Sequence, residues 1–362
     1  MMNEIHENRF IANVTRHFRR SPLQLNQLHE SDAEIIRSNG VSESLLAITT
    51  DTIAEEISVG LYRDPYLIGW MAVMVNMSDL AAVAAEPLGI VISQVLPPDY
   101  PEKSLHRLQE GIRAACDCCE TFLLGGDTNF GQNMTLTGCA IGTINSGRFL
   151  SRRGCEVGDV LYATNLLGGG NMFAQAALAP ALIPKHRQTV SFAPCEYRPV
   201  ARLAEARCLA GFADACMDTS DGAFATLDQL MRLNNVGFEL DENWQACLHP
   251  RAHEIASLYG IPTWLLLAGQ HGEFELLFTV PEDRQYAFLR SAEELPWTPL
   301  RIGRVIREPS IQVPLYGALA SIDTGRIRNL GSSFGGKIAS YVKQLINIDF
   351  EIQKGASHHV NE

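Results

Sequence analysis

The sequence predicts an α/β protein built as two domains, with strands and helices alternating in each half. Three observations carry that expectation. At 362 residues the chain exceeds the size at which a single hydrophobic core usually stops growing. Short apolar runs rich in strand formers alternate with longer stretches of helical periodicity. The pattern breaks around 145–159 at Ser146, Gly147, Gly154 and Gly158, which marks a boundary. The expected division is 1–147, 148–345 and a tail over 346–362.

In the first half, Leu45 to Thr50 reads as a strand that stops at Asp51. Tyr66 to Ala85 is dense in Ala, Met and Leu and reads as a buried helix carrying Asn76, Ser78 and Asp79. Leu88 to Leu96 reads as a strand. Asp99 and Glu102 form a capping-box pattern opening a helix whose apolar positions Leu105, Leu108, Ile112, Ala115 and Cys119 recur at three- and four-residue steps. Thr121 to Leu124 is a strand running into Gly125, Gly126 and Asp127, and Met134 to Ile144 is another. In the second half, strands are expected at Val160–Ala163, Ala213–Met217, Val236–Leu240 and Glu275–Val280, with helices at Val200–Phe212 and Ala223–Leu233.

Composition excludes several classes. A hydrophobic fraction of 46% against 19% charged residues supports packed cores rather than disorder. A formal charge of -12 without any long Lys/Arg run argues against nucleic acid or an anionic membrane as partner. No apolar run is long enough to span a bilayer and Met1 to Arg20 lacks the core of a signal peptide. Nine cysteines, three of them crowded at Cys116, Cys118 and Cys119, show no zinc-type spacing. They read as small residues of a half-buried helix in a reducing cytoplasm.

Three segments, Thr49-Thr50-Asp51, Gly125-Gly126-Asp127 and Met217-Asp218, put a carboxylate where an apolar run stops. In α/β sheets the carboxyl ends of strands open onto ligand sites, so acids stationed there can converge on a bound cation. Magnesium takes hard oxygen ligands and is commonly shared between carboxylates and phosphates. Glycines ahead of Asp127 let a phosphate approach the backbone. Any one of these acids could instead cap the following helix. For Asp221, between Ser220 and Gly222, cap and metal ligand are equal readings. Asp79, within an apolar helix, requires a partner once buried.

Together the motifs resemble those of thiamine-monophosphate kinase, a branch of the ATP-binding superfamily of aminoimidazole-ribonucleotide (AIR) synthetase. Thr49-Thr50-Asp51, Asn76-Met77-Ser78-Asp79-Leu80-Ala81-Ala82, Gly125-Gly126-Asp127-Thr128 and Met217-Asp218-Thr219-Ser220-Asp221-Gly222 stand in that family's order. Arg152 to Asp159 and Gly272 to Phe278 are similar to two further segments. The resemblance implies an AIR synthase-like fold, in which the strand-rich N-terminal domain forms a barrel across a homodimer interface and a C-terminal α/β domain closes the cleft. It implies ATP and Mg2+ as cofactors, with Asp32, Thr49, Thr50, Asp51, Asp79, Asp127, Asp218 and Asp221 as metal ligands. Gly125, Gly126, Asp127, Arg152 and Ser220 are then nucleotide contacts, and Asp218 and Asp127 the catalytic pair.

The resemblance loosens on the acceptor side. Glu30-Ser31-Asp32 replaces Gly-Asp-Asp, and Ala54-Glu55-Glu56-Ile57-Ser58-Val59 replaces Val-Glu-Gly-Val-His-Phe, which loses a histidine. His271-Gly272-Glu273-Phe274-Glu275 replaces Gly-Gly-Glu-Asp-Tyr-Glu. Ser58, His271, Glu273 and Phe334 are therefore the candidate contacts to a small-molecule acceptor. The leading expectation is an ATP- and magnesium-dependent kinase acting on a small metabolite. The alternatives are activation of an amide or carbamoyl oxygen with release of phosphate, and a nucleotide-binding protein without catalysis.

Overall fold

The computed structural model describes residues 3–37, 45–144, 148–178, 197–334 and 338–359, the side chains of 331–334, 338–339 and 357–359 excepted. The strands among them are β1 (Glu34–Arg37), β2 (Leu45–Thr52), β3 (Glu86–Leu96), β4 (Leu123–Phe130), β5 (Thr135–Ile144), β6 (Val160–Ala163), β7 (Ala215–Asp218), β8 (Gly237–Leu240), β9 (Leu276–Val280), β10 (Leu300–Ile306), β11 (Ile311–Leu315) and β12 (Ala318–Ile322). The α-helices are α1 (His6–Thr15), α2 (Ala54–Ser58), α3 (Pro65–Ala82), α4 (Glu102–Cys118), α5 (Gly169–Leu178), α6 (Leu203–Leu209), α7 (Ala223–Asn234), α8 (Ala252–Tyr259), α9 (Leu265–Ala268), α10 (Gln285–Ala292), α11 (Thr324–Phe334) and α12 (Ile338–His359).

The strands make two sheets, one of five in the order β1-β2-β5-β3-β4 and one of seven in the order β12-β11-β8-β10-β6-β9-β7. In the first, all neighbours are antiparallel except β3 and β4, which run parallel because α4 carries the chain back between them. The sheet is open, with β1 and β4 as its edges. Strand β5 alternates half-buried and buried residues along its whole length, the signature of a sheet packed on one face.

Helices α3 and α4 cover that face. Asp64 caps α3 by accepting from the Tyr66 amide at 3.2 Å, with Pro65 in the first turn, a start that needs no donor from the proline. The helix is buried from Ile68 through Ser78. A Cβ on Gly69 would fall 2.0 Å from the Leu108 carbonyl, and one on Gly111 2.0 Å from that of Tyr66. Glycine at both crossings therefore lets the helices touch backbone to backbone. The far end of α3 reaches the second sheet, where Ala81 and Ala82 pack with Val160, Tyr162 and Phe278.

Some local expectations are corrected. The helix α4 begins at Pro101 with no side-chain cap, so Asp99 and Glu102 form no capping box. The segment expected to end at Leu124 continues as β4 to Phe130, carrying Gly125, Gly126 and Asp127 inside the strand, because pairing to β3 holds them extended. The helix expected over Val200–Phe212 is α6 alone. No helix is long and apolar enough to cross a membrane among the described residues.

Candidate active site

Between the two sheets lies a cleft of about 400 Å³. Asp32 precedes β1, Asp51 sits near the end of β2 and Asp79 near the end of α3, and these three line it. Asp218, at the end of β7, is buried just behind that lining. Carboxylate oxygens of Asp32, Asp79 and Asp218 all lie within 4.8 Å of one another, although 186 residues separate the first from the last in the sequence (218 − 32). Oxygen donors alone, held this close, form a set suited to a hard divalent cation.

Each acid is held by its own partners. Ser78 donates its hydroxyl to Asp218 Oδ2 at 2.6 Å, and Ser220 donates to Oδ1 at 2.8 Å. Thr49 donates to Asp79. The amide of Asp51 donates to Asn76 Oδ1 at 3.1 Å, which ties the strand end to α3. Thr50 turns its hydroxyl to the Gly138 carbonyl at 2.8 Å. Arg152 grips Asp32 with two bonds, Nη2 to Oδ1 at 2.6 Å and Nε to Oδ2 at 3.2 Å.

Burial first, and mutual repulsion second, shift these acids together. Burial, with repulsion from Asp32 added, pushes Asp218 up to about 7 against the pull of Ser78, Ser220 and Arg152. Asp51 is pushed up to about 6, first by lost hydration and then by Asp221 and Asp32, against a hydrogen bond to Asp79. Burial and then Asp51, Asp218 and Asp32 hold Asp79 well above the usual carboxylate range. A single arginine does not neutralise such a group, and a cation placed among the carboxylates would relieve it.

The same cleft is lined by Thr49, Thr50, Arg152, Ser220, Asp221 and His271, so most of the residues named from the sequence meet. Asp221 caps no helix, since α7 begins after Gly222 without a side-chain cap. Glu273 lies behind the cleft, where its Oε2 accepts from the amides of Gly168 at 3.0 Å and Gly170 at 3.3 Å. Burial lowers His271 to about 4, which leaves it a neutral imidazole.

Two expectations, for Asp127 with its glycines and for Ser58, place differently. Asp127, with Gly125 and Gly126, stands on the exposed edge strand, bonded to Asn129 at 2.6 Å. It lies level with Thr52, next to Asp51, but three strand spacings away, about 14 Å, across β5 and β3. Gly126 is required by its own sheet, since a Cβ there would meet the Ile92 carbonyl at 2.0 Å. Ser58 is not part of the cleft lining, and its hydroxyl turns back to the Glu55 carbonyl at 2.8 Å in the last turn of α2. The side chain of Phe334 lies outside the described residues.

Sequence reasoning missed Glu7, Asn8, His29, Tyr197 and Arg328, all of which line the cleft. Helix α1 brings the first two across from the N-terminus, held by Asn8 to Gln229 at 3.0 Å and the His6 amide to Asn329 at 3.0 Å. No periodicity within α1 could signal contacts made more than two hundred residues away.

Comparison with known proteins agrees with this geometry. The family model for the AIR synthase related protein N-terminal domain matches residues 30–144. A thiamine-monophosphate kinase of Methanospirillum hungatei JF-1 is 31% identical over 243 residues, covering 66% of this chain and 76% of that protein. One of Archaeoglobus fulgidus is 29% identical over 287 residues, covering 78% and 85%. Among solved structures, AaThiL complexed with AMPPCP and TMP shares the fold with a TM-score of 0.69 at 22% identity, over 86% of this chain and 95% of that one. The ordered acidic motifs and these relatives lead to one conclusion, that the chain belongs to the thiamine-monophosphate kinase family.

Proposed function

We propose that this protein is an ATP-dependent kinase that transfers the terminal phosphate of ATP to an oxygen of a small metabolite, as its thiamine-monophosphate kinase relatives are named for doing. The observation that carries the reading is the convergence of Asp32, Asp79 and Asp218 within 4.8 Å from three separate elements. The acceptor oxygen bonds to the terminal phosphorus while the bridging P–O bond breaks and ADP leaves with its electron pair. Catalysis of such transfer rests on positioning and charge neutralisation. Asp32, Asp51, Asp79 and Asp218 would hold magnesium, which would supply that neutralisation.

The chain's own residues do the rest. Ser78 and Ser220 fix the Asp218 carboxylate in one orientation. Arg152 holds Asp32 and presents a planar cation at the cleft. Neutral His271 lines the cleft without adding charge.

Asp127 enters this reading through a second copy of the chain. Strand β4 is exposed along its whole length and Phe122, Leu123, Leu124 and Phe130 are 69%, 51%, 57% and 71% exposed. An apolar edge strand of this kind is a template for pairing. Pairing across a two-fold axis would complete a barrel and carry Asp127, Gly125 and Gly126 to the nucleotide. The eight cysteines among the described residues are free thiols, in keeping with a cytoplasmic enzyme, and the division we propose for it is 1–147 and 148–345.

Product analysis tests the reaction. The full-length protein with ATP, magnesium and thiamine monophosphate, or another phosphorylated heterocycle, should yield ADP and a phosphorylated acceptor in equal amounts. Release of inorganic phosphate without a phosphorylated product would point instead to the amide- or carbamoyl-activating chemistry.

A further inference from the structure

Asn76 places a polar amide in the apolar helix α3, where it is completely buried. Such a group is costly to bury unless its hydrogen bonds are met, and asparagine is a weak helix former. Both ends of this amide are engaged. Its Nδ2 donates to the Ala72 carbonyl one turn back at 3.2 Å, and its Oδ1 accepts from the Asp51 amide at 3.1 Å. The first bond fixes the side chain against its own helix. The second reaches out to the strand end that carries a cleft acid.

The sheet is shaped to admit it. Gly138 of β5 stands directly across from Asp51 in the ladder, and a Cβ there would fall 2.3 Å from Asn76 Nδ2 and 2.9 Å from its Cγ. Glycine inside a strand weakens it and marks a place where another group comes close. Gly138 is not among the glycines with positive φ, so its backbone conformation is open to any residue. What excludes a side chain is the Asn76 amide, with the Ala72 carbonyl 3.0 Å from the same point.

The same stretch of α3 reaches the other acids, since Ser78 donates to Asp218 at 2.6 Å and Asp79 accepts from Thr49. Asp51 differs in being held through its backbone, which leaves its carboxylate to meet Asp79. We infer that Asn76 is a positioning residue of the cation site: through the Asp51 amide it sets where that carboxylate stands relative to Asp79, and Gly138 is bare to let it through. This rests on the cation reading of the cleft and adds to it a residue that touches neither metal nor substrate. Loss of a group that orients a metal ligand typically costs about 10–100-fold in metal affinity.

Manganese alone, as a stand-in for magnesium, tests this on the full-length protein, with the free ion read by electron paramagnetic resonance. Asn76→Ala should weaken manganese about tenfold and lower the melting temperature, because it leaves a cavity. Gly138→Ala, which pushes the amide off the Asp51 N–H, should weaken the ion by a similar factor. In the double variant the new methyl enters the vacated space, so the melting temperature should recover toward that of the parent while manganese affinity stays low. If Asn76 only fills space, affinity returns with stability. Parent-like manganese affinity in Asn76→Ala or in the double variant, measured below each melting temperature, overturns the inference. A parent that binds no manganese overturns it together with the cation reading. A parent that binds manganese but forms no phosphorylated product removes the kinase reading and leaves the role of Asn76 standing.

Discussion

Ser78, in the last turns of the buried helix α3, donates its hydroxyl to Asp218 at the end of β7 at 2.6 Å. That bond joins the helix of the first sheet to the last residue of a strand in the second, at the floor of the acidic cleft. Its removal by Ser78→Ala leaves a buried carboxylate short of a donor. The expected loss is about 1–3 kcal/mol, read as a lower denaturation midpoint with an unchanged slope on denaturant. A variant as stable as the parent would show that Asp218 is held by Ser220 alone.

Glu273 should make stability fall as pH rises from the ordinary carboxylate range to about 8. Burial, with repulsion from Glu275, pushes its carboxyl up to about 8 against hydrogen bonds from Gly170 and Gly168, and its Oε1 has no partner. The folded state therefore holds the proton more tightly than the unfolded one. The contribution is whole below the ordinary carboxylate range and is lost as pH rises toward about 8. Each pKa unit corresponds to about 1.4 kcal/mol. Denaturant titrations across that window should show stability declining, and Glu273→Gln should flatten the decline. An identical slope in the variant would assign it to other groups, of which the cleft acids are the first candidates.

Arg152 and Asp32 form a pair in which the side chains are 16% and 2% exposed, too buried to be a screened surface contact. Arg152→Lys keeps the charge and loses the fork. Nucleotide affinity should fall about tenfold, equivalent to about 1.4 kcal/mol, in calorimetric titrations with an ATP analogue. Unchanged affinity would place Arg152 outside nucleotide binding.

The edge strand predicts the oligomeric state. Leu123→Lys with Phe130→Lys puts charge on the exposed face of β4, a device by which natural edges resist pairing. Light scattering after gel filtration should show the parent as a dimer and the double variant as a monomer, with kinase activity lost alongside. A parent that is monomeric and active contradicts the role given to Asp127.

Much of this site was legible before any coordinates. Leu45–Thr52, Pro65–Ala82 and Ala215–Asp218 are the strand, helix and strand that the apolar runs around Asp51, Asp79 and Asp218 announce, because an acid at the end of a buried run has few places to go. What the sequence hid was set by distance. Glu7 and Asn8 arrive on a helix with no buried residue, and Arg328 from the far end of the chain, so neither has a local pattern to betray it. Glu56 lies two residues from Ser58, yet only the fold shows that Glu56 lines the cleft while the Ser58 hydroxyl turns back to the Glu55 carbonyl. The family resemblance makes Asp127 a metal ligand and the glycines before it leave room for a phosphate, whereas within one chain pairing to β3 holds it extended on an open edge.

The central claim, that Asp32, Asp79 and Asp218 gather a cation that grips a triphosphate, is tested most directly by calorimetry. A nonhydrolysable ATP analogue is titrated into the protein with and without magnesium, and into Asp79→Asn and Asp32→Asn. Magnesium should strengthen binding to the parent by tenfold or more, and each substitution should abolish that enhancement while the protein remains folded. Binding that is indifferent to magnesium, or magnesium enhancement that survives both substitutions, contradicts the account.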